Sequence, residues 1–150
     1  IVVTAGGPLC SCGKPGHLEA YASEPAVRAR IWEALALDPA DPGQELVRRP
    51  FRVQELFDYV AVSPAIRNVI ADTIQMLALA IASLIATLNP EAVIIGGPLA
   101  EGGSAFLEPL HARVRQFTYP ASLRRVRIAL AELGPDAPVI GAVALALARV

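Results

Sequence analysis

Cys10-Ser11-Cys12-Gly13-Lys14-Pro15-Gly16-His17-Leu18-Glu19 gathers both cysteines of the chain, one of its two histidines and a carboxylate. Thiolate and imidazole are the ligands zinc takes in four-coordinate structural sites. Cys10, Cys12 and His17 offer three of them on a loop containing Gly13, Pro15 and Gly16. A metal held there clamps the turn and holds Glu19, two residues further on, in one direction at the start of a helix. A disulfide between cysteines separated by one residue closes almost no loop and adds little stability. Metal binding in a reducing cytoplasm is therefore the expectation.

The chain has 150 residues and is 54% hydrophobic, enough for one substantial core, so it reads as one domain or one lobe of a larger one. A formal net charge of -1 excludes a global basic field for nucleic acid. Lys14 is the sole lysine. The chain opens in mid-strand at Ile1-Val2-Val3-Thr4, which reads as a piece of a longer protein, and no signal peptide is visible.

Outward from the loop, Ala5 to Pro8 reads as a turn and Leu18 to Ser23 as a short helix. Ser23 caps the next helix, with Glu24 and Pro25 in its first turn. Val27, Ile31, Ala34 and Leu35 form its apolar face, and it stops near Asp38-Pro39. Asp38 to Gly43 reads as an exposed loop, and Val53 to Val60 as a short helix with Val53, Leu56, Phe57 and Val60 inward.

Ser63-Pro64 opens the longest helix, to about Leu88, with Ile66, Ile70, Ile74, Leu77, Ile81, Leu84 and Leu88 at helical spacing. Its second half is apolar all round and is expected to be buried on several sides. The most apolar run, from Ile74, covers about fifteen residues against the roughly twenty that cross a bilayer. It predicts a core helix and no membrane span. Asn89-Pro90 ends it. Ala92 to Ile95 reads as a central strand covered on both faces, and Gly96-Gly97-Pro98 as a tight turn. Ser104 is expected to cap a helix through about Phe117. Val126 to Leu130 is the next strand, Leu133 to Ala137 a turn, and Pro138 to Val150 the final helix. Alternation of helix and strand makes the class α/β. Asp58, Asp72 and Asp136 have no partner motif. His111 reads as a helix-flank residue, and Arg124-Arg125 with Arg127 as a solvated helix-strand junction.

Cys10-Ser-Cys12-Gly-x-x-Gly-His17-Leu-Glu19-Ala-Tyr-Ala-Ser23 resembles the zinc signature of the ROK family (repressors, open reading frames and sugar kinases). Asn89-Pro90-Glu91 through Gly96-Gly97 and Leu133-Gly134 through Ile140-Gly141-Ala142 are similar to two further family segments, in the same order. The resemblance implies an actin-like ATPase (ribonuclease H-like) fold, with residues 1–150 as its C-terminal lobe. It implies structural zinc on Cys10, Cys12 and His17, with a fourth ligand just ahead of Ile1; many members carry Cys where this chain has His17. It also implies that Glu19 contacts a monosaccharide, and that Gly96 and Gly97 approach the adenosine if the protein is a kinase. Glycine alone equally suits a strand-to-helix turn there.

Two functions remain open. A ROK kinase uses ATP with Mg2+, a carboxylate base and a phosphate loop. The resemblance puts both upstream of Ile1, so no catalytic residue is assigned here. A ROK repressor binds DNA through an N-terminal helix-turn-helix domain, also outside this stretch. Tyr21-Ala-Ser23-Glu24, the missing third glycine after Gly97 and the proline at Pro135 favour the sugar-sensing repressor, with the hexose kinase as the alternative. The family also implies a homo-oligomer.

Overall fold

The structure, a computed structural model, describes residues 1–148, the Pro135 side chain excepted. Its helices are α1 (Glu19–Ala22), α2 (Glu24–Leu37), α3 (Gln44–Val47), α4 (Leu56–Tyr59), α5 (Pro64–Leu88), α6 (Ser104–Phe117), α7 (Pro120–Leu123) and α8 (Ala137–Leu147). Strands β1 (Ala92–Ile95) and β2 (Arg127–Leu130) pair in parallel, with Ala92 opposite Arg127 and Ile95 opposite Leu130. The β1–α6–β2 crossover puts α6 against α5, as parallel pairing requires a long connection.

The core lies where α5 packs on α2 and α6. Val27, Ile31 and Leu35 from α2, Ile66 and Ile85 from α5, and Phe106, Leu110 and Val114 from α6 are at most 1% exposed. Helix starts and stops follow local chemistry. Ser23 accepts from the Ala26 amide at 3.4 Å and Ser63 from the Ile66 amide at 3.1 Å, each followed by proline in the first turn. Asn89, in the left-handed region with φ 45°, closes α5, where asparagine is tolerated better than branched residues.

Several expectations are corrected. The Asp38–Gly43 loop is not simply exposed. Asp41 is 4% exposed and accepts from Ser63 Oγ at 2.5 Å and from the Gly43 and Ala65 amides at 2.7 and 2.9 Å. Its carboxylate ties the loop to the start of α5. Ser104 is the first residue of α6 rather than its cap. Gly103, with φ 59°, takes the cap position, where no side chain accepts a bond. β1 is not covered on both faces: Val93 and Ile95 pack against the core, but Ile94 on the opposite face is 54% exposed. At the end of α5, Ile81 and Ile85 are buried but Leu84 and Leu88 face solvent. α8 runs from Ala137 to Leu147, with Val139, Val143 and Leu147 exposed; Val150, the expected end of that helix, lies outside the described residues.

At 25 residues α5 is long and apolar enough to cross a membrane by length and composition. Its packing is that of a core helix, with Ile66, Val69, Ile70, Ile74 and Ala78 buried beneath α2 and α6.

Candidate functional site

Residues 1–18 fold back on themselves ahead of α1. Val2 bridges His17 and Leu9 bridges Pro15, both antiparallel. The Val3 amide donates to Gly16 O at 2.9 Å, the Gly16 amide to Pro8 O at 3.1 Å, and the Leu18 amide to Ile1 O at 2.9 Å. At the tip, Cys10 donates to Lys14 O and Gly13 to Cys10 O, each at 2.9 Å. Gly16, with φ 75°, sits where a Cβ would collide with the carbonyl oxygens of Thr4 and Gly6. Only glycine lets the loop cross the first segment this closely.

This crossing turns Cys10, Cys12 and His17 to the same side. Their ligand atoms lie within 4.8 Å of one another, and Cys12 Sγ is 3.2 Å from His17 Nδ1. A tetrahedral zinc ion with bonds of about 2.3 Å to sulfur and about 2.0 Å to nitrogen holds its ligand atoms roughly 3.5–3.8 Å apart. The donor set and its spacing therefore fit such an ion with small adjustments. Cys10 is buried and Cys12 exposed, both as free thiols. Among the described residues no fourth Cys, His, Asp or Glu joins the group. His111 is elsewhere, donating from Nε2 to Ile128 O at 3.0 Å.

Glu19 stands exposed at the start of α1, accepting from Ser11 Oγ at 2.7 Å. That hydroxyl first, then the Cys10 thiol and the nearby His17 charge, hold its carboxyl below the ordinary glutamate value against slight desolvation. It is thus an ionised acceptor at neutral pH. Sequence reading did not find Ser11 as its partner; the only available signal was its place between the two cysteines.

Tyr21 joins this loop to the core. Its carbonyl accepts from Arg30 Nη1 at 3.2 Å and from Thr73 Oγ1 at 3.1 Å, and the Arg30 guanidinium lies 5.2 Å from its ring centroid. Its hydroxyl fills the space beside Gly7. Arg30 also pairs with Asp72, giving that aspartate a partner the sequence did not reveal. Thr73 is fully buried, so α1 is fastened to α2 and α5 next to the acid it carries.

Gly96 and Gly97 lie beyond the carboxyl end of β1, and Gly96 also faces Ala22 and Glu24 across a small cleft. With Pro98, Ala131, Gly134 and Ala137 they line a cleft of about 300 Å³. Crevices outside the carboxyl ends of parallel strands are where open α/β sheets take ligands. Gly97 has φ 95° with open space at its Cβ position, so backbone is bare toward the cleft. Arg124, Arg125 and Arg127 are exposed at the α7–β2 junction, as the sequence suggests.

A helical layer against a parallel sheet with an open crevice at its strand ends defines an α/β fold. Residues 1–149 match the ROK family, and the chain belongs to it. A glucokinase of Thermotoga maritima is 31% identical over the whole chain and 48% of its own length. The xylose repressor of Caldicellulosiruptor bescii is 28% identical over 93% of the chain and 35% of its own length. The chain thus spans less than half the length of these curated relatives. A ROK glucokinase from Streptomyces griseus, solved with glucose and AMPPNP, superposes with a TM-score of 0.78 at 24% identity, over 97% of the chain and 49% of that protein. The fold is the actin-like ATPase fold of the family, and both kinases and repressors are among the relatives.

Proposed function

We propose that this chain is the C-terminal lobe of a zinc-stabilised, sugar-responsive ROK regulator in the cytoplasm, with Glu19 as a sugar ligand. The observation that carries the reading is the convergence of Cys10, Cys12 and His17 beside an acid already oriented by Ser11. Zinc on those three residues supplies a rigid crosslink in the loop and no chemistry toward the sugar. A fourth ligand comes from outside the described residues. The loop, Ser11 and the Tyr21 anchor then hold Glu19, whose two oxygens accept charge-assisted bonds from neighbouring sugar hydroxyls.

The exposed Leu84, Leu88, Ile94 and outer face of α8 are the surfaces on which the remainder of such a lobe would pack. In a regulator, sugar closing the two lobes shifts a DNA-binding homo-oligomer between states. The regulator reading rests on Tyr21-Ala22-Ser23-Glu24, Gly97-Pro98 and Gly134-Pro135.

A second reading, an ATP- and Mg2+-dependent sugar kinase, is favoured by the cleft at Gly96 and Gly97. The test is an ATP-dependent phosphorylation assay on the whole protein with glucose, xylose and N-acetylmannosamine, paired with direct sugar titration. Sugar binding without turnover supports the regulator; phosphorylated sugar overturns it for the kinase.

A further inference from the structure

A groove of about 220 Å³ separates α4 from the α5–α6 pair, on a different part of the surface from the metal loop and from the Gly96–Gly97 cleft. Its walls are Phe57 from α4 and Val60 just after it, Ile70, Ala71 and Ile74 from α5, and Ala105 and Pro109 from α6. Arg67 and Arg113 also line it, one on each long helix. Among the described residues neither guanidinium has a carboxylate within 4.0 Å. Arg67 donates to Ala61 O at 3.4 Å and Arg113 to Gln116 Oε1 at 3.0 Å, both neutral acceptors. Asp58, Asp72 and Glu108, the acids on α4, α5 and α6, line no part of the groove, and Asp72 is already paired with Arg30. The buried Asp41 feels the Arg67 charge from beyond ion-pair distance and already accepts three hydrogen bonds.

An apolar trough with two cations that no carboxylate contacts directly is matched by a ligand with the opposite arrangement. We propose that the groove binds a small apolar carboxylate, its tail between Phe57 and Ile74 and its head between Arg67 and Arg113. Guanidinium donates to carboxylate in a planar, paired geometry that a hydroxyl cannot use, so charge and not apolarity alone selects the ligand. The volume is below the roughly 300–1,000 Å³ of sites for drug-sized molecules, which limits the tail to a short chain or a single ring. Such a ligand bridges α4 to α5 and α6 without touching the metal loop. This assignment is independent of the sugar reading.

The experiment is a titration of the whole protein with octanoate, followed by calorimetry and by amide chemical shifts, with 1-octanol as the uncharged control. Saturable octanoate binding at least about tenfold tighter than octanol is expected, with shifts clustered at Phe57, Ile70 and Ala105. R67Q with R113Q should lose about tenfold or more in octanoate affinity and leave octanol unchanged, and A71L should weaken both by filling the trough. Arg67 and Ala71 are exposed and Arg113 is half-buried, and thermal melts check that the variants remain folded. Equal affinity for octanol, unchanged octanoate binding in the double arginine variant, or shifts that map elsewhere would overturn the assignment. So would a dimer that buries the groove and persists at saturating octanoate.

Discussion

Gly16→Ala is the sharpest perturbation of the metal loop. At φ 75° an alanine costs about 1–2 kcal/mol relative to its preferred regions. Its Cβ would also run into the carbonyl oxygens of Thr4 and Gly6. Relieving that collision moves Gly16 away from Val3 and Pro8, with which it makes backbone bonds of 2.9 and 3.1 Å. Each such bond is worth roughly 0.5–1.5 kcal/mol. A metal-free loop can relax to escape the strain, whereas a loop holding metal on Cys10, Cys12 and His17 cannot. The strain therefore appears as lost metal affinity, about 2–4 kcal/mol, or roughly 30- to 1,000-fold in Kd. Gly13→Ala is the internal control. Its φ of 80° carries the same conformational cost, but nothing lies within 4 Å of the added methyl, so about tenfold is expected. Cobalt(II) titration with zinc competition reads both. Equal losses for the two variants, or no loss for Gly16→Ala, would refute the claim that this crossing sets the ligand geometry.

Glu19→Gln should weaken sugar binding by about ten- to a hundredfold, the worth of one or two hydrogen bonds to a charged group, and leave zinc affinity within about twofold, as sugar and metal titrations will show. Asp41→Ala strips partners from Ser63 and from two backbone amides, and should lower stability by about 3 kcal/mol in urea unfolding. Burial, the largest single influence on Asp41, pushes its pKa up, but the Ser63 hydroxyl, the Ala65 and Gly43 amides and the Arg67 charge together hold it below the usual aspartate value. Its folded pKa thus lies below its unfolded one. This contribution is complete above about pH 4 and is lost as pH falls through the lower, folded value; urea midpoints of wild type and Asp41→Ala should converge there. Phe106→Ala, at a fully buried position, should cost about 3–5 kcal/mol, read as a lower thermal midpoint.

Local signals carried most of the element order. Serine caps followed by proline marked α2 and α5, Asn89-Pro90 marked the end of α5, and the apolar stripes named the residues that meet in the core. The convergence of Cys10, Cys12 and His17 was legible for a similar reason, because all three side chains lie on one short glycine-punctuated loop. Features joined across long separations were not. The Tyr21 anchor needs Arg30 and Thr73, and Asp41 needs Ser63, with no periodic or spacing signal linking them. Burial was misjudged where apolar pattern alone was used. Ile94, Leu84 and Leu88 have core-like sequence yet stand exposed, since apolarity reports a surface that can be covered and not which element covers it. Gly103 displaced Ser104 from the cap because a left-handed turn at residue 103 was invisible beside a good capping residue.

Sugar affinity of the whole protein before and after zinc removal tests the central claim most directly. Zinc is stripped by a chelator, its content is measured, and glucose, xylose and N-acetylmannosamine are titrated into the metal-free and zinc-restored forms. The account predicts about one zinc per chain, loss of sugar binding on removal and recovery on zinc return. Unchanged sugar affinity in protein verified to be metal-free would contradict it.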